Sequence, residues 1–295
     1  MKIIILGAGA IGSLYGARLS RKNEVLLVAR KSHADSINRN GLRIENSDGK
    51  VKGVYDIRAV SKLVKIEKNT LILLTTKVND SATAISDIKN IARKDTVILC
   101  LQNGLGSENS VKKIMGKKCT VLRGITSFGA SFLSDGIVRQ NNEGYTAIEK
   151  SIFSKEIAEN FSRCGLNAYV SKDIRTDVWK KLAVNCVLNP LSAILKVENG
   201  KIADEHLNTL KQRILDECIF AAEKDGVKLD LTIQEINNTL KGSRNISSML
   251  QDITKKRRTE IDYINGAVAK LGEKYNIGCP VNKGLVMFIK CIESR

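Results

Sequence analysis

The chain has 295 residues, 43% of them hydrophobic, 27% charged and 4% aromatic, with a formal net charge of +17. That length suits about two domains with cores of their own, and no apolar run nears the roughly 18 residues of a membrane span, so a cytoplasmic protein without a membrane partner is expected. The basic residues are spread along the chain and no nucleic-acid motif accompanies them, so the charge is read as a surface that attracts small anions, not nucleic acid.

The N-terminus, MKIIILGAGAIG, opens with an apolar strand over 2–6 that runs straight into Gly7-Ala8-Gly9-Ala10-Ile11-Gly12 and a helix to about Arg21. Strand, GxGxxG and helix in that order predict a dinucleotide site. Gly7 permits the tight turn, Gly9 lets the backbone approach a pyrophosphate, and Gly12 lets helix and strand pack closely. The amides and positive dipole end of the helix then face the phosphates. A second strand over 25–29 ends at Arg30-Lys31. An NAD site would carry an acidic residue near there for the ribose hydroxyls; two cations favour the 2′-phosphate of NADP, with NADH as the alternative. Further strands over 70–76, 96–101 and 120–125, with a helix over 82–92, put Lys77, Asn103 and Thr126 at strand carboxyl ends. Ligands of open parallel sheets bind at such ends, although Asn103-Gly104 also suits a plain turn. Residues 136–149 read as a hairpin turning at Asn141, Asn142 and Gly144, and 168–171 as the hinge between domains.

Beyond about Asp173 strand-like alternation gives way to helical patterns over 174–189, 204–225, 231–241, 248–275 and 281–293. Pro190 is expected to end or kink the first of these, and Pro280 to open the last. In WKKLAVNCVLNP, Lys181, Asn185 and Asn189 are spaced four apart, so they share one helix face among Leu182, Ala183, Val184, Cys186, Val187 and Leu188. Burying a charge and two amides costs several kcal/mol unless partners are found. Neighbouring loops can supply those partners in a purely structural cluster; otherwise a shielded ammonium with amides beside it suits binding and polarising a small polar substrate. Lys180 lies roughly 100° round the helix and is expected in solvent. Downstream, Ser248 with Gln251 three residues on is a capping-box pattern, and a helix N-terminus with a hydroxyl is also a carboxylate site. Glu260 follows beside Ile261 and Ile264; it either pairs at the surface with Arg257 or Arg258, or, in a cleft, orients the lysine or accepts a hydrogen bond from a substrate hydroxyl. Seven scattered cysteines without a CxxC pair read as reduced thiols, and the two histidines, His33 and His206, have no metal-ligand spacing. No metal is expected.

Together, GAGAIG, LQNGLG, WKKLAVNCVLNPLSA and NISSMLQDITKKRRTEIDYING resemble the 2-dehydropantoate 2-reductase (ketopantoate reductase) family, over essentially the whole chain. The resemblance implies an α/β fold: an N-terminal Rossmann-type dinucleotide-binding domain over 1–170, then an all-α substrate-binding domain over 171–295, with the active site in the cleft between them. It also implies NADPH-dependent reduction of 2-dehydropantoate to (R)-pantoate on the route to pantothenate and coenzyme A. By matching motif, Lys181 would be the catalytic acid and Glu260 would bind the substrate hydroxyl and support the lysine. Asn185, Asn189, Asn245 and Ser248 would hold the substrate, Ser248 by its carboxylate. Asn103 would lie near both nicotinamide and substrate, Lys77 would serve the cofactor and Arg30 would meet the 2′-phosphate. A homodimer through the helical domain is compatible with this reading. Two rivals remain: another Rossmann dehydrogenase acting on a different oxo acid or polyol, and a non-catalytic NADP-binding or nucleic-acid-associated protein.

Overall fold

Apolar strands alternating with helices build the first of two units, residues 1–102 and 106–174, in a computed structural model that describes residues 1–294. Its elements in chain order are β1 (Lys2–Leu6), α1 (Ala10–Leu19), β2 (Glu24–Val28), α2 (Lys31–Asn40), β3 (Leu42–Glu45), β4 (Val51–Tyr55), β5 (Arg58–Val60), β6 (Thr70–Leu74) and α3 (Val78–Ile88). They continue with β7 (Val97–Cys100), α4 (Ser107–Met115), β8 (Thr120–Thr126), β9 (Gly129–Ser134), β10 (Ile137–Asn142), β11 (Thr146–Ile148), α5 (Ser154–Arg163) and β12 (Ala168–Val170). Eight strands form one sheet in the order β12-β11-β8-β7-β6-β1-β2-β5. Within it β1 pairs in parallel with β2 on one side and β6 on the other, Ile5 facing Leu27 and Leu73. Ile3 and Ile5 enter one core while Ile4 and Leu6 enter the core on the other face. Cover on both faces is why this strand reads as an unbroken apolar run. The strand order reverses at β1, so the loop after it lies at a topological switch point, where open α/β sheets bind ligands.

A second sheet, β4-β3-β10-β9, was not foreseen. It also corrects the expected hairpin over 136–149. The turn is Asp135-Gly136, with Gly136 at φ +80°, while Asn141 and Asn142 lie in β10, where Asn141 Nδ2 donates across to Ser131 Oγ at 2.9 Å. Residues 146–148 leave for the main sheet as an antiparallel neighbour of β8. Residues 168–170, the end of the last strand-like run, form β12, which pairs in parallel with β11.

The second unit comprises residues 103–105 and 175–295. Its helices are α6 (Ile174–Leu195), α7 (Asn208–Lys224), α8 (Ile233–Leu240), α9 (Ser248–Thr254), α10 (Asn265–Lys274) and α11 (Pro280–Glu293), and its core runs from Trp179 and Leu182 to Val268 and Ile289. No helix of the described residues is long and apolar enough to cross a membrane.

Two helix expectations are corrected. Of the two outcomes expected at Pro190, ending the helix is excluded, since α6 runs past 189 to Leu195 with the proline inside. Proline has no N–H for the carbonyl four residues back, and here Asn265 Nδ2 donates to that carbonyl, Cys186 O, at 3.0 Å. The same NH2 group donates to Asn282 Oδ1 at 2.9 Å. Asn282 in turn donates to Glu217 Oε2 at 2.7 Å, and the Glu217 carboxylate accepts the Val281 and Asn282 amides in the first turn of α11. A buried polar thread thus replaces the missing helical bond. The expected helix over 248–275 is broken: Lys256 takes φ +50° and Arg257 N–H closes back on Asp252 O at 2.8 Å. Lys255, Lys256, Arg257 and Arg258 stand in a row there, and four adjacent cations favour a helix C-terminus over a helix interior.

Candidate active site

The loop after β1 has the shape of a dinucleotide cradle. At Gly7 (φ +100°) a Cβ would fall 2.5 Å from Thr76 N, and at Gly12 one would fall 2.5 Å from Gly7 O, so both must be glycine for the loop to sit against β6. Above Gly9, by contrast, nothing lies within 4 Å of a built Cβ, which leaves its backbone open to a ligand. The first helical bond of α1 runs from Ser13 N to Gly9 O, so the amides of Ala10, Ile11 and Gly12 precede the ladder. No acidic residue stands in that first turn. The cradle therefore fits a pyrophosphate. Arg30 is the exposed residue preceding α2, just beyond β2 and Ala29, and Lys77 likewise precedes α3 beyond β6.

In the second unit α6 buries Trp179, Leu182, Ala183, Cys186 and Val187, and Trp179 Nε1 anchors its N-terminal half on Asp225 Oδ2 at 3.0 Å. Lys180 is exposed, whereas Lys181 and Asn185 are half-buried and Asn189 is buried. Lys181 Nζ donates to Asn103 Oδ1 at 2.9 Å. The amide of Asn103 donates in turn to Glu260 Oε2 at 3.3 Å. One asparagine therefore bridges ammonium and carboxylate. It is held from behind: Leu105 N bonds to Tyr263 O at 3.3 Å, and a Cβ on Gly104 would collide with the same carbonyl.

Glu260 arrives by a route the sequence pattern did not suggest. It is 5% exposed and precedes a 3-10 turn over Ile261–Tyr263, not a face of a long helix. Its neighbour Thr259 is fixed by its own N–H to Glu293 Oε1 at 2.7 Å. Arg258 itself pairs with Asp262. Ser248 is likewise not the cap of α9. Ser247 is, its Oγ accepting Leu250 N–H at 3.1 Å and meeting Ser192 Oγ of α6 at 2.7 Å. Ser248 is half-buried next to that junction, and Asn245, also half-buried, is three residues before Ser248.

Sequence reasoning missed the support beneath Asn245. Its carbonyl accepts Asn199 N–H at 2.8 Å, and Asn199 Oδ1 is buried without a hydrogen-bond partner. The turn bearing Asn199 is clamped by Lys211, a fully buried lysine whose Nζ donates to Ile202 O, Asp204 O and Asn237 Oδ1 at 2.9, 3.0 and 2.6 Å. All three ammonium hydrogens are thereby used. No local pattern around Asn199 or Lys211 signals this, because the partners meet only in the fold. The seven cysteines are free thiols, and burial pushes Cys100 up to about 12 and Cys279 up to about 11.

The family model described as ketopantoate reductase PanE/ApbA matches residues 3–151, and its C-terminal counterpart matches residues 173–293. The chain belongs to the ketopantoate reductase family. A 2-dehydropantoate 2-reductase of Pyrococcus horikoshii is 37% identical over 306 residues, covering 100% of this chain and 98% of the relative. One of Archaeoglobus fulgidus is 32% identical, covering 99% and 98%. Among solved structures, a PanE/ApbA family ketopantoate reductase from Ralstonia eutropha JMP134 is 30% identical with a TM-score of 0.89, covering 100% of this chain and 99% of that one. A D-mandelate dehydrogenase solved with NADH and anilino(oxo)acetate is also 30% identical, with a TM-score of 0.91 and coverage of 100% and 98%. As a ketopantoate reductase family member the chain is an oxidoreductase, with an α/β sheet domain and a helical C-terminal domain.

Proposed function

We propose that this protein reduces 2-dehydropantoate to (R)-pantoate with NADPH, in the cytoplasm, as a step towards pantothenate and coenzyme A, with a homodimer through the helical domain as its assembly. The observation that carries the reading is the hydrogen-bonded Lys181–Asn103–Glu260 group. When bound, the dinucleotide supplies the hydride that reaches the C2 ketone. The protein's own task is the oxygen of that ketone, which gains negative charge as it becomes an alkoxide. The Lys181 ammonium is aimed by Asn103 to stabilise that charge and hand over a proton. Glu260 accepts the substrate hydroxyl and, through Asn103, holds the lysine. Asn185 and Asn189 continue the polar stripe along the substrate, with Ser248 on its carboxylate and Asn245 beside it. Asn103, Lys77 and the Gly7–Gly12 loop serve the cofactor.

Loss of NADPH absorbance on adding 2-dehydropantoate tests this directly, beside NADH and a panel of other 2-oxo acids. Fast oxidation selective for 2-dehydropantoate is expected; dinucleotide binding without turnover on any oxo acid overturns it. The D-mandelate dehydrogenase likeness favours one alternative, an NADH-dependent reductase of bulkier 2-oxo acids, and the same panel separates the two. For the cofactor, Arg30 stands where a 2′-phosphate reader belongs. Arg30→Ala should raise the KM for NADPH by about tenfold, the worth of roughly one charge-assisted bond, and leave that for NADH nearly unchanged. Equal losses for both would remove Arg30 from that role.

A further inference from the structure

We propose that His33 is a positioning residue for the dinucleotide loop, acting through Ser13 as a neutral imidazole protonated on Nε2. His33 lies in α2 and is 2% exposed. Its Nδ1 accepts the Gly136 N–H at 2.8 Å. A backbone N–H can only donate, so Nδ1 carries no proton and the neutral ring's hydrogen is on Nε2. That Nε2–H faces Ser13 Oγ at 3.2 Å. Ser13, fully buried and next after Gly12, then directs its hydroxyl to Ala8 O at 3.2 Å. Every donor in the chain Gly136 → His33 → Ser13 → Ala8 has one acceptor, so its direction is fixed throughout.

The last acceptor belongs to the loop itself. The Ala8–Gly9 peptide is held from both edges, by Ser13 at its carbonyl and by Gly9 N–H to Gly7 O at 2.7 Å. That peptide leads into the amides of Ala10, Ile11 and Gly12. The Gly136 N–H thus fixes the tautomer of the ring, and it is the Nε2–H of His33, through Ser13, that bears on the orientation of the cradle.

The ring packs edge-on against Phe132 at 4.9 Å between centroids, with Asp135 Oδ1 3.9 Å from Nδ1 and the Arg30 charge also facing it. Burial pulls its pKa below the ordinary 6.5, Asp135 works against that, and Arg30 adds to the lowering. Protonation would put a second hydrogen on Nδ1 against the Gly136 N–H. Because the folded value is the lower one, the stability from this arrangement is complete above the unfolded value and is lost as pH falls through the folded one.

The inference rests on the dinucleotide reading, and two amide-shaped variants of the full chain test it. Asn at position 33 overlays its Oδ1 on Nδ1 and keeps the Gly136 acceptor but cannot reach Ser13. Gln overlays its Nε2 on the imidazole Nε2 and keeps the donor to Ser13 while losing the acceptor. Backbone hydrogen exchange over residues 7–13 and the NADPH dissociation constant are measured for wild type, His33→Asn, His33→Gln and Ser13→Ala. In His33→Asn, exchange should quicken and NADPH should bind about tenfold more weakly; in His33→Gln both should stay within about twofold of wild type. Ser13→Ala should resemble His33→Asn, and the double variant should lose no more than either single one, as expected for one chain of bonds. Unchanged exchange in both His33→Asn and Ser13→Ala overturns the proposal. Failure of wild-type protein to bind NADPH would instead overturn the dinucleotide reading, while the exchange data still decide whether His33 holds the loop.

Discussion

Replacing Lys181 with alanine is expected to lower kcat by about two to four orders of magnitude, equivalent to roughly 3–5 kcal/mol of transition-state stabilisation. The size follows from what the ammonium does twice: it meets charge that exists only as the alkoxide forms, and it donates the proton that neutralises it. The KM for NADPH should hardly move, because that interaction is not made in the ground state of the cofactor complex. Lys180→Ala is the internal control, being the adjacent, exposed residue of the same helix. A folded Lys181→Ala protein that turned over within about threefold of wild type would exclude the lysine from the chemistry.

Asn265→Leu is expected to destabilise the fold by about 2–4 kcal/mol in urea unfolding, for reasons of backbone accounting and not of volume. Leucine fills the same space but leaves Cys186 O, the carbonyl that Pro190 cannot serve, and Asn282 Oδ1 without donors. The cause can be isolated. Pro190→Ala restores an N–H for Cys186 O, so in the Asn265→Leu background it should recover about 1 kcal/mol or more. If the two changes are simply additive, the asparagine is not compensating for the proline.

Much of the fold was visible because its signals are local. The β1–glycine–α1 sequence states its own geometry, and the long helices announce themselves by spacing. The second sheet was not visible, since β3, β4 and β9 mix polar and apolar residues over strands of only four to six residues. The site divides the same way. Lys181, Asn185 and Asn189 could be aligned by counting along one helix. The pairing of Asn103 with Lys181 and Glu260 could not, because the residues are 78 and 157 positions apart. Ser247 shows the limit of motif matching: two serines stand side by side, and the one that caps is also the one that meets Ser192 of α6.

The chain's passage through Asn103–Leu105 bears on how the protein can be dissected. Those three residues cluster with the second unit, and the chain then returns to the first for another 69 residues, 106–174. A gene fragment starting at Arg175 thus encodes every helix of the second unit while omitting the asparagine that joins its lysine to its glutamate. Such a fragment could be expressed and purified as a helical domain and still be missing part of its own polar centre. Modular exchange of halves between relatives meets the same constraint: the tripeptide has to travel with the helices, not with the sheet on either side of it in sequence.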